Sequence, residues 1–201
     1  MQSAGVNSPA LALDEAHAYC RFLYIDELGG SPWLMSLSIA FTCVAEVPVF
    51  HYAGAIIGRL GISGCVNLVL VAFVVRLTAY ATMSLWPTLW LVLLVEPLHG
   101  LTFGLAWAVG TAFVKESAPP GLEATMQSLF QSSYFGLGTG LGGLMGGWVY
   151  DSFSPAACFA AAAAVIAVCG LAAGVVDAAL GSARALARKN SDVEMQSLWH
   201  K

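Results

Sequence analysis

From Pro32 onward the chain alternates long apolar runs with short breaks rich in glycine, proline and serine. A bilayer crossing needs about 20 mostly apolar residues, and five runs reach that length: 32–57, 64–83, 86–114, 124–149 and 155–180. The breaks LGGS, RLGISG, ESAPPG and DSFSP are typical helix punctuation. Three runs open with proline at the first helical position, Pro32 after Ser31, Pro87 after Trp86 and Pro155 after Ser154. Proline there sacrifices no hydrogen bond, and a preceding serine can cap the exposed N–H groups. The pattern predicts an all-α membrane protein with about five transmembrane helices. Residues 1–31 form an acidic amino-terminal segment, with Asp14, Glu15, Asp26 and Glu27 against Arg21 alone. A helix from Ser8-Pro9 to Gly29-Gly30 would lie on or partly in the membrane surface. Residues 181–201 read as a polar tail.

Composition agrees: 58% of residues are hydrophobic and 10% charged, against roughly 25% charged in an ordinary soluble domain. The placement of charge orients the chain. Arg59 follows the first run, Lys115 the third, and Arg184, Arg188, Lys189 and Lys201 the fifth, whereas MSLWP and DSFSP hold no Lys or Arg. Positive residues favour the cytoplasmic side, so the carboxyl terminus is expected there and the amino terminus outside. The cysteines at 20, 43, 65, 158 and 169 show no CxxC or CxxH spacing and read as small packing residues. With no nucleophile–base set, metal spacing or phosphate loop, an enzyme is not expected. Neither is a cofactor, a metal or a nucleic-acid partner.

Candidate chemistry lies in the few polar residues inside the runs: Glu46, His51, Arg76, Glu96, His99, Gln127, Gln131 and Asp177. An ionisable group at mid-bilayer costs about 2.5 kcal/mol or more and usually faces a cavity or another charge. Glu96 and His99 are three apart, on one helical face. Pro97 between them removes a backbone bond and predicts a kink, with a freed carbonyl at Leu93. Glu46 likewise sits two residues before Pro48. These residues fit a functional charge network equally with a structural Glu–Arg pair and a hydrogen-bonding histidine. Along the fourth run, Gln127, Gln131 and Tyr134 form a polar stripe that could line a cavity, with Trp107 of the third run, or bond across helices. Gly138, Gly142 and Gly146 then offer a small-residue face for close helix packing. The alanine-rich fifth run carries no candidate chemistry.

The order FLYIDELGGSP, a run with E-V-P, GAIIGRLG, a run with one arginine, EPLHGLTFGLAWA, APPGLEATMQ and a glycine-rich run ending GGWVYD resembles the carboxyl-terminal half of a major facilitator superfamily transporter. It is most similar to the branch of the domain-containing protein 6-like members, lactose permease and the nucleoside–proton symporters, over roughly residues 22–180. That resemblance implies an incomplete six-helix half. GAIIGRLG, with Gly54, Arg59 and Gly61, is similar to the superfamily's loop motif, although Gly58 stands where an aspartate is usual. By resemblance Glu46, Arg76, Glu96 and His99 take the places of the proton-handling residues of lactose permease, with glutamate here preceding histidine. The implied function is half of a secondary active, proton-coupled carrier of a small-molecule solute in a truncated or partial chain. Its implied partners are the lipid bilayer, protons, and a missing amino-terminal half or another copy. The alternative is a non-transporting membrane interaction protein, or a shortened isoform that associates with a full-length carrier.

Overall fold

The computed structural model describes residues 20–86 and 88–175. Most of the acidic amino-terminal segment, Asp177 and the 181–201 tail with its basic residues lie outside the described residues. What is described is helical, without a strand: α1 (20–27), α2 (Pro32–Ala81), α3 (Leu89–Ser117), α4 and α5 (Pro155–Val175). The fourth comprises Glu123–Gln131, a π-helical stretch Ser132–Gly138, and Thr139–Ser152. Three of the helices, α2, α3 and α5, are long and apolar enough to cross a membrane.

The α2 helix starts as its sequence dictates, with Pro32 in the first turn and Ser31 Oγ accepting from the Leu34 N–H at 3.2 Å. Its 50 residues would make a rod of about 75 Å at 1.5 Å per residue, more than twice the roughly 30 Å hydrocarbon core. The break falls at one residue, Gly61, with φ 68° and ψ 171°, a conformation that a side chain disfavours. RLGISG is therefore helical on both sides of a single-residue kink. Of the other loop-motif residues, Arg59 is exposed, and a Cβ at Gly54 would touch nothing within 4 Å.

The arm of α2 beyond Gly61 forms the centre of the bundle. Cys65, Val69, Phe73, Leu77 and Tyr80 share one helical face and are buried among Tyr24 and Ile25 of α1, Val92, Leu105 and Val109 of α3, Tyr134 of α4, and Phe159 and Ile166 of α5. The described part of the supposed surface helix is thus packed into the core, because Arg21, its one cation, has a buried acidic partner. On the outside, Trp33, Leu85, Leu94, Leu144 and Leu171 are each more than two-thirds exposed, as lipid-facing side chains should be.

Two features shape the site. Pro97 disturbs the α3 ladder: the His99 N–H reaches Glu96 O at 2.8 Å and the Gly100 N–H reaches Pro97 O at 3.2 Å, both three-residue bonds, before a π-helical stretch at Gly100–Leu105. In addition, α3 crosses the first arm of α2 at Gly100, where a Cβ would lie 2.6 Å from the Ala45 carbonyl oxygen. Only glycine permits that approach. Along α4, Gly138 and Gly142 are buried and Gly146 is half-buried, while a Cβ at Gly136, Gly140, Gly143 or Gly147 would meet nothing within 4 Å.

Candidate functional site

Pro97 terminates a short α-helical turn at Glu96, whose carboxylate is directed into the bundle and is 0% exposed. Such a group persists in lipid only when its oxygens are fully engaged. Three helical segments meet that need. Arg21 Nη1 from α1 donates to Oε2, Ser38 Oγ from the first arm of α2 donates to Oε1 at 2.6 Å, and Tyr80 OH from the second arm donates to Oε1 at 2.9 Å. Arg76 Nη2 stands 4.0 Å from Oε2. The Arg21 guanidinium also lies 4.4 Å above the Phe22 ring centroid, a cation–π contact.

Arg76 extends this cluster along α3. Its Nη1 donates to Thr102 Oγ1 at 3.0 Å, and that hydroxyl donates to the His99 carbonyl at 3.4 Å. His99 Nε2 in turn lies 3.1 Å from Glu46 Oε1, with the two side chains 17% and 23% exposed. The structure therefore brings Glu46, Arg76, Glu96 and His99 into one connected region, but Glu96 and His99 each take a partner from another helix instead of pairing with each other. A cross-helix partner satisfies two buried groups at once and ties the bundle together, which a pairing within one helix cannot do.

Below His99 runs an aromatic column. Phe103 stacks on His99 at 5.4 Å with a 6° interplanar angle, Trp107 follows at 6.2 Å, and Tyr134 of α4 packs against Trp107 at 5.4 Å. The four-residue spacing of His99, Phe103 and Trp107 aligns them on one face of α3. Trp107 and Tyr134 are thus brought together, whereas Gln127 is half-buried and Gln131 exposed on the preceding segment of α4. His51 is exposed, with its ring 4.7 Å from Tyr52.

Four members escaped sequence reasoning: Arg21, Ser38, Tyr80 and Thr102. A signal existed for Arg21, the lone charge in AYCRFLYI. Nothing distinguishes Ser38, Tyr80 and Thr102 from other small or aromatic residues of an apolar helix.

Helices apolar enough to span a bilayer, wrapped around two buried arginines and a buried glutamate, define a polytopic membrane protein with an internal charge network. Residues 15–161 match the MFS_1 like family, and the chain belongs to that family of transporters. It is 29% identical over 141 residues to human major facilitator superfamily domain-containing protein 6-like, covering 70% of this chain and 23% of the relative. Against the maltose permease of Geobacillus stearothermophilus the identity is 29% over 129 residues, 64% of this chain and 32% of the permease. Uncharacterized transporter YwbF of Bacillus subtilis (strain 168) is 24% identical over 132 residues, 66% of this chain and 32% of that protein. The chain thus spans between about a quarter and a third of these relatives' length. No solved structure matches it significantly.

Proposed function

We propose that this chain is the carboxyl-terminal half of a proton-coupled secondary carrier, in which the Glu46–His99 pair exchanges the proton and the Glu96 cluster anchors the helices around it. The observation that carries this reading is the contrast in closure: Glu96 is sealed by donors from every side, while Glu46 and His99 are partly exposed and face each other at 3.1 Å. One proton satisfies that contact in either of two ways. Nε2–H can donate to a carboxylate, or a carboxylic acid can donate to neutral Nε2. Displacing either partner changes which group holds the proton, and the Thr102 hydroxyl, bonded to Arg76 and to the His99 carbonyl, links such a displacement to the sealed cluster.

Phe103, Trp107 and Tyr134 provide an aromatic wall next to the pair, suited to a small polar solute with one apolar ring face. The name maltose permease, carried by one relative, supports a sugar-like solute. Counting α2 as two crossings at Gly61 and including α4 yields five spans, and the Lys/Arg distribution then puts the carboxyl terminus in the cytoplasm. Carriers built from repeats hold solute between two halves, so the complementary half, or a second copy, closes the site. The test uses the complete carrier that contains this segment, reconstituted in vesicles with a pH-sensitive dye inside. Adding solute outside should acidify the lumen, and solute uptake without proton movement would refute coupling.

A further inference from the structure

The second arm of α2 and the carboxyl-terminal part of α5 leave a groove of about 410 Å³ between them. Val71, Val74 and Val75 of α2 and Ile166 of α5 form its walls, and such β-branched side chains are stiff at χ1 and present a fixed contour. At Gly170 the two helices come close: a Cβ there would lie 3.3 Å from Leu70 Cδ1, and a larger side chain would fill the groove. Val71, Val75 and Leu171 are each more than half exposed along the rim, so the groove opens to lipid in a spanning bundle. Asn67 is the one polar residue of the lining, and none of the lining residues is charged. Its exposed side chain lies six residues past the Gly61 kink, about 9 Å along the axis. Arg59, exposed just before that kink, belongs outside the hydrocarbon, so the Asn67 amide marks the end of the groove nearer the membrane surface.

We propose that this groove is a sterol site: it takes an amphiphile with one hydroxyl on a rigid, fused-ring apolar body, lying along α2 with the hydroxyl on the Asn67 amide. Apolar surface gains little by leaving lipid for protein, so shape and hydrogen bonding select the occupant. A phospholipid chain must give up its rotamers to lie against a fixed wall, whereas fused rings have none to lose. A phosphate headgroup also calls for cationic partners, which the lining lacks. A single hydroxyl needs one donor and one acceptor, and the Asn67 amide has both. A helix from a second copy would favour small-residue faces that admit a close backbone approach, not a rim of valine and leucine. None of the lining residues belongs to the charge network, and the site does not rest on the transport reading.

The experiment uses the purified full chain in phosphatidylcholine vesicles containing a cholesterol analogue with a photoactivatable diazirine on its ring system, followed by peptide mapping of the adducts. Adducts should concentrate in 67–75 and 166–171 and be suppressed by excess unlabelled cholesterol. Cholesteryl methyl ether, whose oxygen cannot donate, should compete about threefold more weakly, as loss of one hydrogen bond predicts. Asn67→Leu should lower labelling by about the same factor and erase the difference between the two competitors. Val71→Trp, which fills the groove from its exposed rim, should abolish saturable labelling, while Leu144→Trp on the exposed face of α4 should leave it unchanged. Each variant is first verified as monodisperse, and the two competitors on the wild-type chain decide the hydroxyl contact without any variant. Adducts spread evenly over the exposed helix faces, or insensitive to excess cholesterol against the phosphatidylcholine background, overturn the site. Equal competition by cholesterol and its methyl ether on wild type overturns the role of Asn67, and labelling confined to a dimeric fraction makes the groove an interface between copies instead.

Discussion

Glu46 and Glu96 are the same residue in similar local settings, each within two positions of a proline inside an apolar helix, yet the bundle treats them oppositely. Glu96 is surrounded by α1 and both arms of α2, which supply Arg21, Ser38 and Tyr80. Glu46 looks across one interface at a partner that can itself gain or lose a proton, and both remain partly exposed. Neighbouring helices, more than local sequence, therefore decide whether a membrane carboxylate is sealed or left partly open. Immobilised between guanidiniums, a carboxylate resists change; paired with an imidazole at an open face, it can respond to solvent or solute.

The largest effect should come from opening the sealed cluster. Arg21→Met leaves Glu96 buried without its closest cation, a loss of about 3–5 kcal/mol for a broken buried pair. Folded yield and Tm in detergent should fall steeply, and a wild-type Tm would erase the distinction between the two glutamates. Tyr80→Phe removes one donor to the same carboxylate and should cost about 1.5–3 kcal/mol, read as a smaller drop in Tm. Gly100→Ala puts a methyl against the Ala45 carbonyl and should cost about 1–3 kcal/mol by overpacking, with Gly140→Ala, where a Cβ meets nothing, as the neutral control. Equal behaviour of those two variants would deny the close crossing of α2 and α3 beside both glutamates. Smallest of all, His99→Gln should change stability by less than about 1 kcal/mol, as partly exposed pairs do. A loss matching that of Arg21→Met would make the Glu46–His99 pair a second structural anchor.

The helical nature of the chain was legible because apolar runs, the Ser31–Pro32 start and the absence of charge leave few alternatives. Ser154 is a second readable cap, its Oγ accepting from the Ala157 N–H at 3.1 Å. Glu46, Arg76, Glu96 and His99 were legible too, since an ionisable residue in an apolar run stands out. Their pairing was not. Arg21 and Glu96 are 75 residues apart, and helical periodicity says which residues share a face, not which helix that face will meet. The continuous helix through RLGISG was hidden for a related reason: a glycine-rich stretch signals a break without telling a loop from a one-residue kink. The π-helical stretches at Gly100–Leu105 and Ser132–Gly138 are likewise invisible to hydrophobic pattern, because a single inserted residue shifts the register without altering composition.

The division of labour between the two glutamates is tested most directly by Glu46→Gln in the complete carrier, reconstituted in vesicles and assayed for both solute accumulation driven by a pH difference and solute exchange at equal pH. Glutamine keeps the size and hydrogen-bonding capacity of the side chain but cannot take up or release a proton in this range. In Glu46→Gln, pH-driven accumulation should be lost, exchange should persist, and folded yield should be near wild type, in contrast to Glu96→Gln, which should lower folded yield by stranding Arg21 and Arg76. A Glu46→Gln carrier that still concentrates solute against its gradient would contradict the assignment of the exchangeable proton to the Glu46–His99 pair.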